Sequence, residues 1–392
     1  MIINASLAKV KVAIAINTSW NILNFRAGII KELIKNGHDV YTISPEDSST
    51  KELEALGCKS HHISLENSGM NPLKDFGYYR DFVKALDTIQ PGIVLSYTIK
   101  PNIYGSIACN KRNIPVINNI SGLGTAFLWN KALKTLVKNL YRYAFKNSSH
   151  IFFQNIHDKN LFLEEINIPE TITSILPGSG VDTKHFAPVK RSKDSANFTF
   201  LMISRLLIDK GITEYCDAAK MLKSEGHDIT FQVLGKAEEG HKRGYSKQKI
   251  ESLANEGIIE YLGTTTDVRE YIASADCIVL PSYREGTART LLEAASMAKP
   301  IVATDVPGCN NVVINEENGL LCQVRDTESL ASKLREMALS DGSKLKCYAE
   351  NSRKKAVEEF DESLVINQYL DKITEITAMK VKKSQPKAEV FN

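Results

Sequence analysis

Four charged side chains in the second half of the chain have the types and spacing to grip a phosphorylated ligand. Arg205 and Lys210 lie five residues apart in "SRLLIDKG", and Glu285 and Glu293 lie eight apart in "CIVLPSYREGTARTLLEAASMAKPIVATD". An arginine offers a planar fork and a lysine a point charge, a pair suited to a diphosphate. A helix start beside them adds unpaired amides and a favourable dipole. A carboxylate accepts hydrogen bonds from two vicinal sugar hydroxyls, and the small residues Gly286, Thr287 and Ala288 let a ligand come close to the backbone. Together the four groups suit the two ends of a nucleotide-sugar. Breaking a sugar–diphosphate bond builds negative charge on the leaving oxygens, which fixed cations and a helix terminus stabilise. Taken locally, the segments leave other readings open. The Arg205–Lys210 loop also reads as a solvated basic turn, and Glu293 is spaced four residues from Arg289, a common helix-surface pairing.

The elements that would position these groups alternate along the chain. Strand patterns stand at residues 9–16 ("KVKVAIAI"), 39–44, 59–64, 93–98, 115–120 and 150–155, separated by helical patterns or turns. A second series stands at 198–205, 228–235, 258–263, 276–282 and 300–305, followed by helices that include a long one over about 362–380. Alternating strands and helices predict parallel sheets covered on both faces, which bind ligands beyond the C-terminal ends of their strands. The Gly-, Pro- and Ser-rich stretch between the two series reads as a linker. The expected organisation is a first Rossmann-like domain over 1–176, a linker over 177–196 and a second Rossmann-like domain over 197–358. Helices over 359–380 are expected to return to the first domain, and 381–392 to form a disordered tail.

Composition narrows the classes. The 392 residues, 43% hydrophobic, suffice for two α/β domains with separate cores, and a net charge of +3 does not by itself imply nucleic acid. No apolar run approaches the roughly 20 residues of a membrane span, and the first residues lack the basic and apolar regions of a secretory signal. The seven cysteines are scattered without a CxxC pair, so buried free thiols in a reducing cytoplasm are expected, and no structural zinc. Neither the GLG nor the GSG triplet forms G-x-G-x-x-G after the first strand, which argues against dinucleotide binding.

"SRLLIDKG", "VLG" at 233–235, "YLGTTTDV", "LPSYREGTARTLLEAASMAKPIVATD" and "ILPGSGVDTKHF" together resemble glycosyltransferase family 4, retaining enzymes of the GT-B architecture. "NFRAGII", "NISGLGTAF" and "PGCNNVV" resemble more specifically bacterial transferases that add an N-acetylhexosamine to an undecaprenyl-diphosphate-linked saccharide. The resemblance implies two doubly wound domains facing across a cleft, a UDP-sugar donor, a polyprenyl-diphosphate-linked acceptor and no cofactor. Position by position it implies that Arg205 and Lys210 hold the donor diphosphate and that Glu285 touches the transferred sugar, with the amides of Gly286, Thr287 and Ala288 nearby. It further implies Glu293 on the ribose, Gly235 giving close approach to the donor, and Gly263 and Thr264 beside the base. The acceptor would attack on the face the leaving group departs from, with the β-phosphate taking its proton. No Asp-x-Asp triplet is present, so metal-independent catalysis is expected. A GDP-mannose or UDP-glucose transferase and, from another class, a nucleotide-sugar epimerase are the competing readings.

The first domain departs from the family at two places. The loop "NTSWNILNF" holds no glycine, and "SGLGTAF" replaces the histidine that many members carry, leaving Gly122 and Gly124 as donor- or acceptor-facing amides or as a tight turn. In "NKALKTLVKNLYRYAFKN", Lys131, Lys134, Lys138, Arg142 and Lys146 recur at spacings of three and four and so share a helical stripe. Such a helix either lies on an anionic membrane surface and presents the acceptor, or packs in the core with a solvated basic face. The expected location is cytoplasmic, peripheral on the inner face of the cell membrane.

Overall fold

A computed structural model of the chain describes residues 9–66, 71–122, 131–189 and 197–384. Gly124, residues 190–196 of the expected linker and residues 385–392 of the expected tail lie outside the described residues, as does the side chain of Lys131. The chain divides into two compact units, Met1–Ser179 with Ser363–Asn392, and Gly180–Glu362.

In the first unit β1 (Lys11–Ala15), β2 (Asp39–Ser44), β3 (Lys59–His62), β4 (Ile93–Tyr97), β5 (Val116–Ile120), β6 (His150–Phe153) and β7 (Thr173–Ile175) form one sheet in the order β3-β2-β1-β4-β5-β6-β7. The pairings are parallel, as expected for strands separated by helices. Helix Ser19–Lys35 starts where the Thr18 hydroxyl accepts from the Asn21 amide at 3.1 Å. Its inward positions Ile22, Ile29, Ile30 and Leu33 pack with Val12 and Ile14 of β1. Onto the same layer come Val365, Tyr369 and Ile373 of helix Glu362–Ser384, and the Asn119 amide donates to the Tyr369 hydroxyl at 3.0 Å. That helix runs four residues past the expected end at 380, because no glycine or proline interrupts it before Pro386.

The second unit holds β8 (Phe198–Ile203), β9 (Ile229–Leu234), β10 (Glu260–Tyr261), β11 (Cys277–Leu280), β12 (Ile301–Thr304) and β13 (Gly319–Cys322), in the order β10-β9-β8-β11-β12-β13. Its pairings are parallel too. Strand order reverses between β8 and β11. That reversal opens a crevice at the strand exits, the ligand position of open α/β sheets. Both units are thus Rossmann-like, as the alternating patterns imply. Strands β7 and β13 were not among the sequence expectations: they are short edge strands, "TSI" and "GLLC", without the β-branched runs that mark most of the others.

The stretch expected to be a linker is ordered where it is described. Val181 and Phe186 are buried with Phe360 in the core of the second unit. Val181 donates to the Phe360 carbonyl at 2.8 Å and accepts from the Glu362 amide at 2.9 Å. Gly180 has φ +69°, and a Cβ there would stand 2.5 Å from the Cα of Glu362. Left-handed strain and backbone overlap act together in Gly180→Ala, which is expected to lose about 2–4 kcal/mol of stability. The measurement is a denaturation midpoint. An unchanged midpoint would show that the segment relaxes freely.

Candidate active site

The crevice between β8 and β11 is lined by the two segments singled out from sequence. The exit of β8 carries Ser204 to Lys210 and ends in a short 3-10 turn, Ile208–Lys210. The exit of β11 carries Pro281 to Ala288, before helix Arg289–Ser296. Gly211 brings the two into contact: its φ is +75°, and a Cβ would sit 2.0 Å from the Pro281 carbonyl oxygen. Tyr283 donates from its amide to the Asp209 carbonyl at 2.9 Å, which completes the seam.

Across this seam Lys210 and Glu285 form an ion pair through Nζ and Oε1. Both are mostly buried, at 24% and 13% side-chain exposure. The Ser282 hydroxyl donates to the same Glu285 oxygen at 2.6 Å. Thr304, at the end of β12, donates through Oγ1 to the Ser282 carbonyl and so steadies that orienting residue. The backbone of the carboxylate is held from a third direction. The Glu285 amide donates to the Pro307 carbonyl at 3.1 Å and the Ala288 amide to the Gly308 carbonyl at 2.9 Å. Asn311 donates from Nδ2 to the Thr287 hydroxyl at 3.1 Å. These supports belong to "PGCNNVV", residues 307–313, a stretch with no chemical role evident from its residue types. It is the floor beneath residues 285–288.

Arg205 does not join Lys210. Its side chain is 64% exposed and its nearest acidic partner is Glu238 at 3.9 Å. Glu238 belongs to the segment after β9 that also supplies Arg243, paired with Asp209 at 2.5 Å. Neither residue was singled out from sequence, because nothing local ties the segment to the β8 exit. Gly235 and Gly263 do meet: the Gly235 amide donates to the Gly263 carbonyl at 2.7 Å. What Gly235 makes room for within the protein is the Ser204 carbonyl, since a Cβ would stand 1.7 Å from it. Thr264 is exposed beside this turn.

Glu293 lies in the second turn of its helix, because residues 285–288 are loop and only Arg289 onward is helical. It is 13% exposed and accepts from Arg289 Nε at 2.9 Å, the i,i+4 pairing the sequence left open. Burial pushes the Glu293 carboxyl up, and the Arg289 charge opposes that rise. The helix starts after Ala288 without a side-chain N-cap. Among the described residues no group of three His, Cys, Asp or Glu stands together as a metal-binding cluster.

In the first unit Gly122 follows β5 with φ +129°. The basic helix is Lys131–Phe145, and it buries Val137, Tyr141, Ala144 and Phe145. Lys134 pairs with Glu165 at 2.9 Å, Lys138 pairs with the same carboxylate, and Arg142 donates to the Glu165 carbonyl at 2.7 Å. Three cations of the stripe are therefore tied to one neighbouring residue, while Leu136 and Tyr143 stand 50% and 60% exposed. All seven cysteines are free, six of them buried.

Two family models match the chain: Glycosyl transferase 4-like over residues 11–155, and Glycosyl transferases group 1 over 184–355. Among characterised proteins it is 28% identical over 369 residues to the N,N'-diacetylbacillosaminyl-diphospho-undecaprenol alpha-1,3-N-acetylgalactosaminyltransferase of Campylobacter jejuni, covering 89% of this chain and 94% of that protein. It is 27% identical over 316 residues to the UDP-Gal:alpha-D-GlcNAc-diphosphoundecaprenol alpha-1,3-galactosyltransferase of Escherichia coli, covering 78% of this chain and 79% of that protein. A glycosyltransferase structure from Rickettsia africae superposes with TM-score 0.76 at 19% identity, covering 95% of this chain and 99% of the other. HepE of Anabaena in complex with UDP-glucose superposes with TM-score 0.76 at 19% identity, covering 93% of this chain and all of the other (100%). At such identities the two structures speak for the fold.

The floor beneath Glu285 supplies a test. Gly308 has φ +85°, and a Cβ would come within 2.5 Å of the Glu285 carbonyl carbon and oxygen. Gly308→Ala should displace Glu285 and lower turnover about 100-fold, in line with other losses of positioned charge, while the protein stays folded. Steady-state kinetics beside a thermal melt checks this. Unimpaired turnover would mean that the floor does not position the carboxylate.

Proposed function

Since this chain is a GT-B glycosyltransferase related to the family 4 undecaprenyl-diphosphate-saccharide hexosaminyltransferases, we propose that its substrates meet at the β8–β11 crevice. The reaction moves a hexosamine from a UDP-sugar to an undecaprenyl-diphosphate-linked saccharide. The observation that carries the site is the Lys210–Glu285 pair, made by the exits of the two strands that flank the reversal of strand order.

In this reading N-acetylgalactosamine or N-acetylglucosamine is the transferred sugar, with retention of configuration. The donor diphosphate takes over Lys210 and attracts the open Arg205 fork, and the positive end of helix Arg289–Ser296 favours its charge, with Gly286, Thr287 and Ala288 nearby. Glu285, relieved of Lys210 and still held by Ser282, accepts from the transferred sugar's hydroxyls. Glu293 accepts from the ribose. As the sugar–phosphate bond breaks, charge grows on the β-phosphate beside Lys210. That stabilisation exists mainly in the transition state, so it acts on turnover more than on binding. The β-phosphate receives the acceptor's proton. Residues 1–176, with Gly122 and Gly124 after β5, are proposed to take the acceptor.

Among the described residues no helix is long and apolar enough to cross a membrane. The lipid-linked acceptor is reached peripherally, on the inner face of the cell membrane. Lys134, Lys138 and Arg142 contribute less free charge than the stripe suggests, and Lys131 and Lys146 lie at its two ends. Among the described residues of this helix, Leu136 and Tyr143 are the exposed large apolar side chains.

The deciding experiment is nucleotide release from a panel of UDP- and GDP-sugars, with and without undecaprenyl-diphosphate-linked saccharides, run in EDTA. Acceptor-dependent UDP release from one N-acetylhexosamine donor is expected. A donor sugar altered without acceptor would replace the reading by an epimerase, and release that fails only in EDTA would bring in a metal. With the active pair, Lys210→Ala should lower kcat by about 100- to 1000-fold, and Glu293→Ala should raise the donor KM about 10-fold or more. Wild-type rates in both would move the site elsewhere. Leu136→Ser with Tyr143→Ser should reduce binding to anionic vesicles several-fold while melting as the wild type does. Unchanged vesicle binding would return that helix to a packing role.

A further inference from the structure

Glu293 is a mostly buried carboxylate with few charged neighbours. From its own helix comes Arg289, one turn earlier, donating through Nε at 2.9 Å. His185, on the segment that packs beneath the helix, and Asp267, ahead of helix Arg269–Ser274, act on it through space with opposite signs. A carboxylate that binds vicinal hydroxyls must be ionised and aimed. Burial opposes ionisation, and a lone side chain in a crevice has rotamers to choose from.

Arg289 answers both requirements. Its Nη1 donates to the Gly180 carbonyl, and its guanidinium stands 5.8 Å from the centre of the Phe186 ring. Only 18% of the side chain is exposed. The anchorage is itself rigid: Arg353 donates to the carbonyls of Thr183 and Ser296 at 2.9 and 2.7 Å, and Ser296 Oγ donates to the Phe186 carbonyl at 2.8 Å. Val181 is bridged to Asp361. The planar fork therefore reaches from a fixed backbone carbonyl to the Glu293 carboxylate, a geometry a lysine cannot reproduce. An arginine four residues ahead of a glutamate on an exposed helix would contribute little. Here the pair is enclosed and wired to a third element.

We propose that Arg289 is a positioning residue for the donor, keeping Glu293 ionised and aimed at the nucleotide through its own tie to Gly180. This rests on the reading of Glu293 as the ribose carboxylate. Arg289 acts through Glu293, so its loss weakens nucleotide binding most where the carboxyl is most easily protonated. Without the cation, burial and Asp267 act on the carboxyl with only His185 in opposition, and the ionised form is lost at a higher pH than in the wild type.

UDP carries the ribose and the diphosphate, so its affinity reads this directly and does not depend on which sugar is transferred. Titration calorimetry on the full chain would compare wild type, Arg289→Gln, Arg289→Lys and Glu293→Gln between about pH 5.5 and 8.5. The expected result is a UDP Kd for Arg289→Gln raised about 10-fold over wild type near pH 7, widening as pH falls and narrowing as it rises. Arg289→Lys should recover much of the loss at low pH, because it restores the charge, while keeping a pH-independent deficit. A Kd ratio that is flat with pH, or equal to one, overturns the proposal. Glu293→Gln separates the two levels. If it leaves the UDP Kd at the wild-type value, the ribose reading itself fails. If it weakens UDP while Arg289→Gln does not, only the positioning role fails.

Discussion

The second unit is organised around one ion pair that spans two strand exits. Lys210 comes from the turn after β8 and Glu285 from the loop after β11, and these strands are neighbours only because the sheet order reverses between them. Two mostly buried charges of opposite sign lower each other's cost of leaving water, but removing one strands the other. The surrounding structure is arranged so that neither can drift. Gly211 lets the first exit touch Pro281, Ser282 shares the carboxylate, and residues 307–311 support its backbone. Each of these contacts joins segments far apart in the chain. The site is therefore as stable as the sheet that brings them together.

Charge in this protein is largely neutralised internally. Lys210 has Glu285, Glu293 has Arg289, Asp209 has Arg243, and Glu165 collects Lys134 and Lys138. Arg205 differs, since its side chain is mostly exposed and its acidic neighbour stands 3.9 Å away. In the proposed function, a diphosphate entering this site would exchange ion pairs and not simply meet free cations. Its binding would then select for geometry as well as charge, because an anion that cannot match the Lys210 position leaves the existing pair intact. The same reasoning applies to the basic helix: counted along the sequence it is strongly cationic, yet three of its charges are already committed to residue 165.

The parallel α/β class, the two series of strands and the segments holding Lys210, Glu285 and Glu293 were legible from sequence. Hydrophobic runs, helix caps and glycines at helix starts are local signals, and the "EGTARTLLE" stretch carries its strand–loop–helix context within a few residues. Less legible were β7 and β13, edge strands without a β-branched run, and the stretch from Gly180 to Phe186. Its Gly and charge content suggested a linker, but Val181 and Phe186 bury their side chains in a core shared with Phe360, far along the chain.

By itself, then, the sequence determined which residues are chemically able to hold a nucleotide-sugar and on which elements they stand, because those properties depend on side-chain type and short spacing. Tertiary structure decided which of them meet. It set Lys210 against Glu285 and left Arg205 beside Glu238, it enclosed the Arg289–Glu293 pair and tied Arg289 to the Gly180 carbonyl, and it packed Ser282 and the Gly308 turn against residues 285–288. Pairing and burial arise between segments separated by tens to hundreds of residues, and only the order of strands in the sheet specifies which of those segments become neighbours.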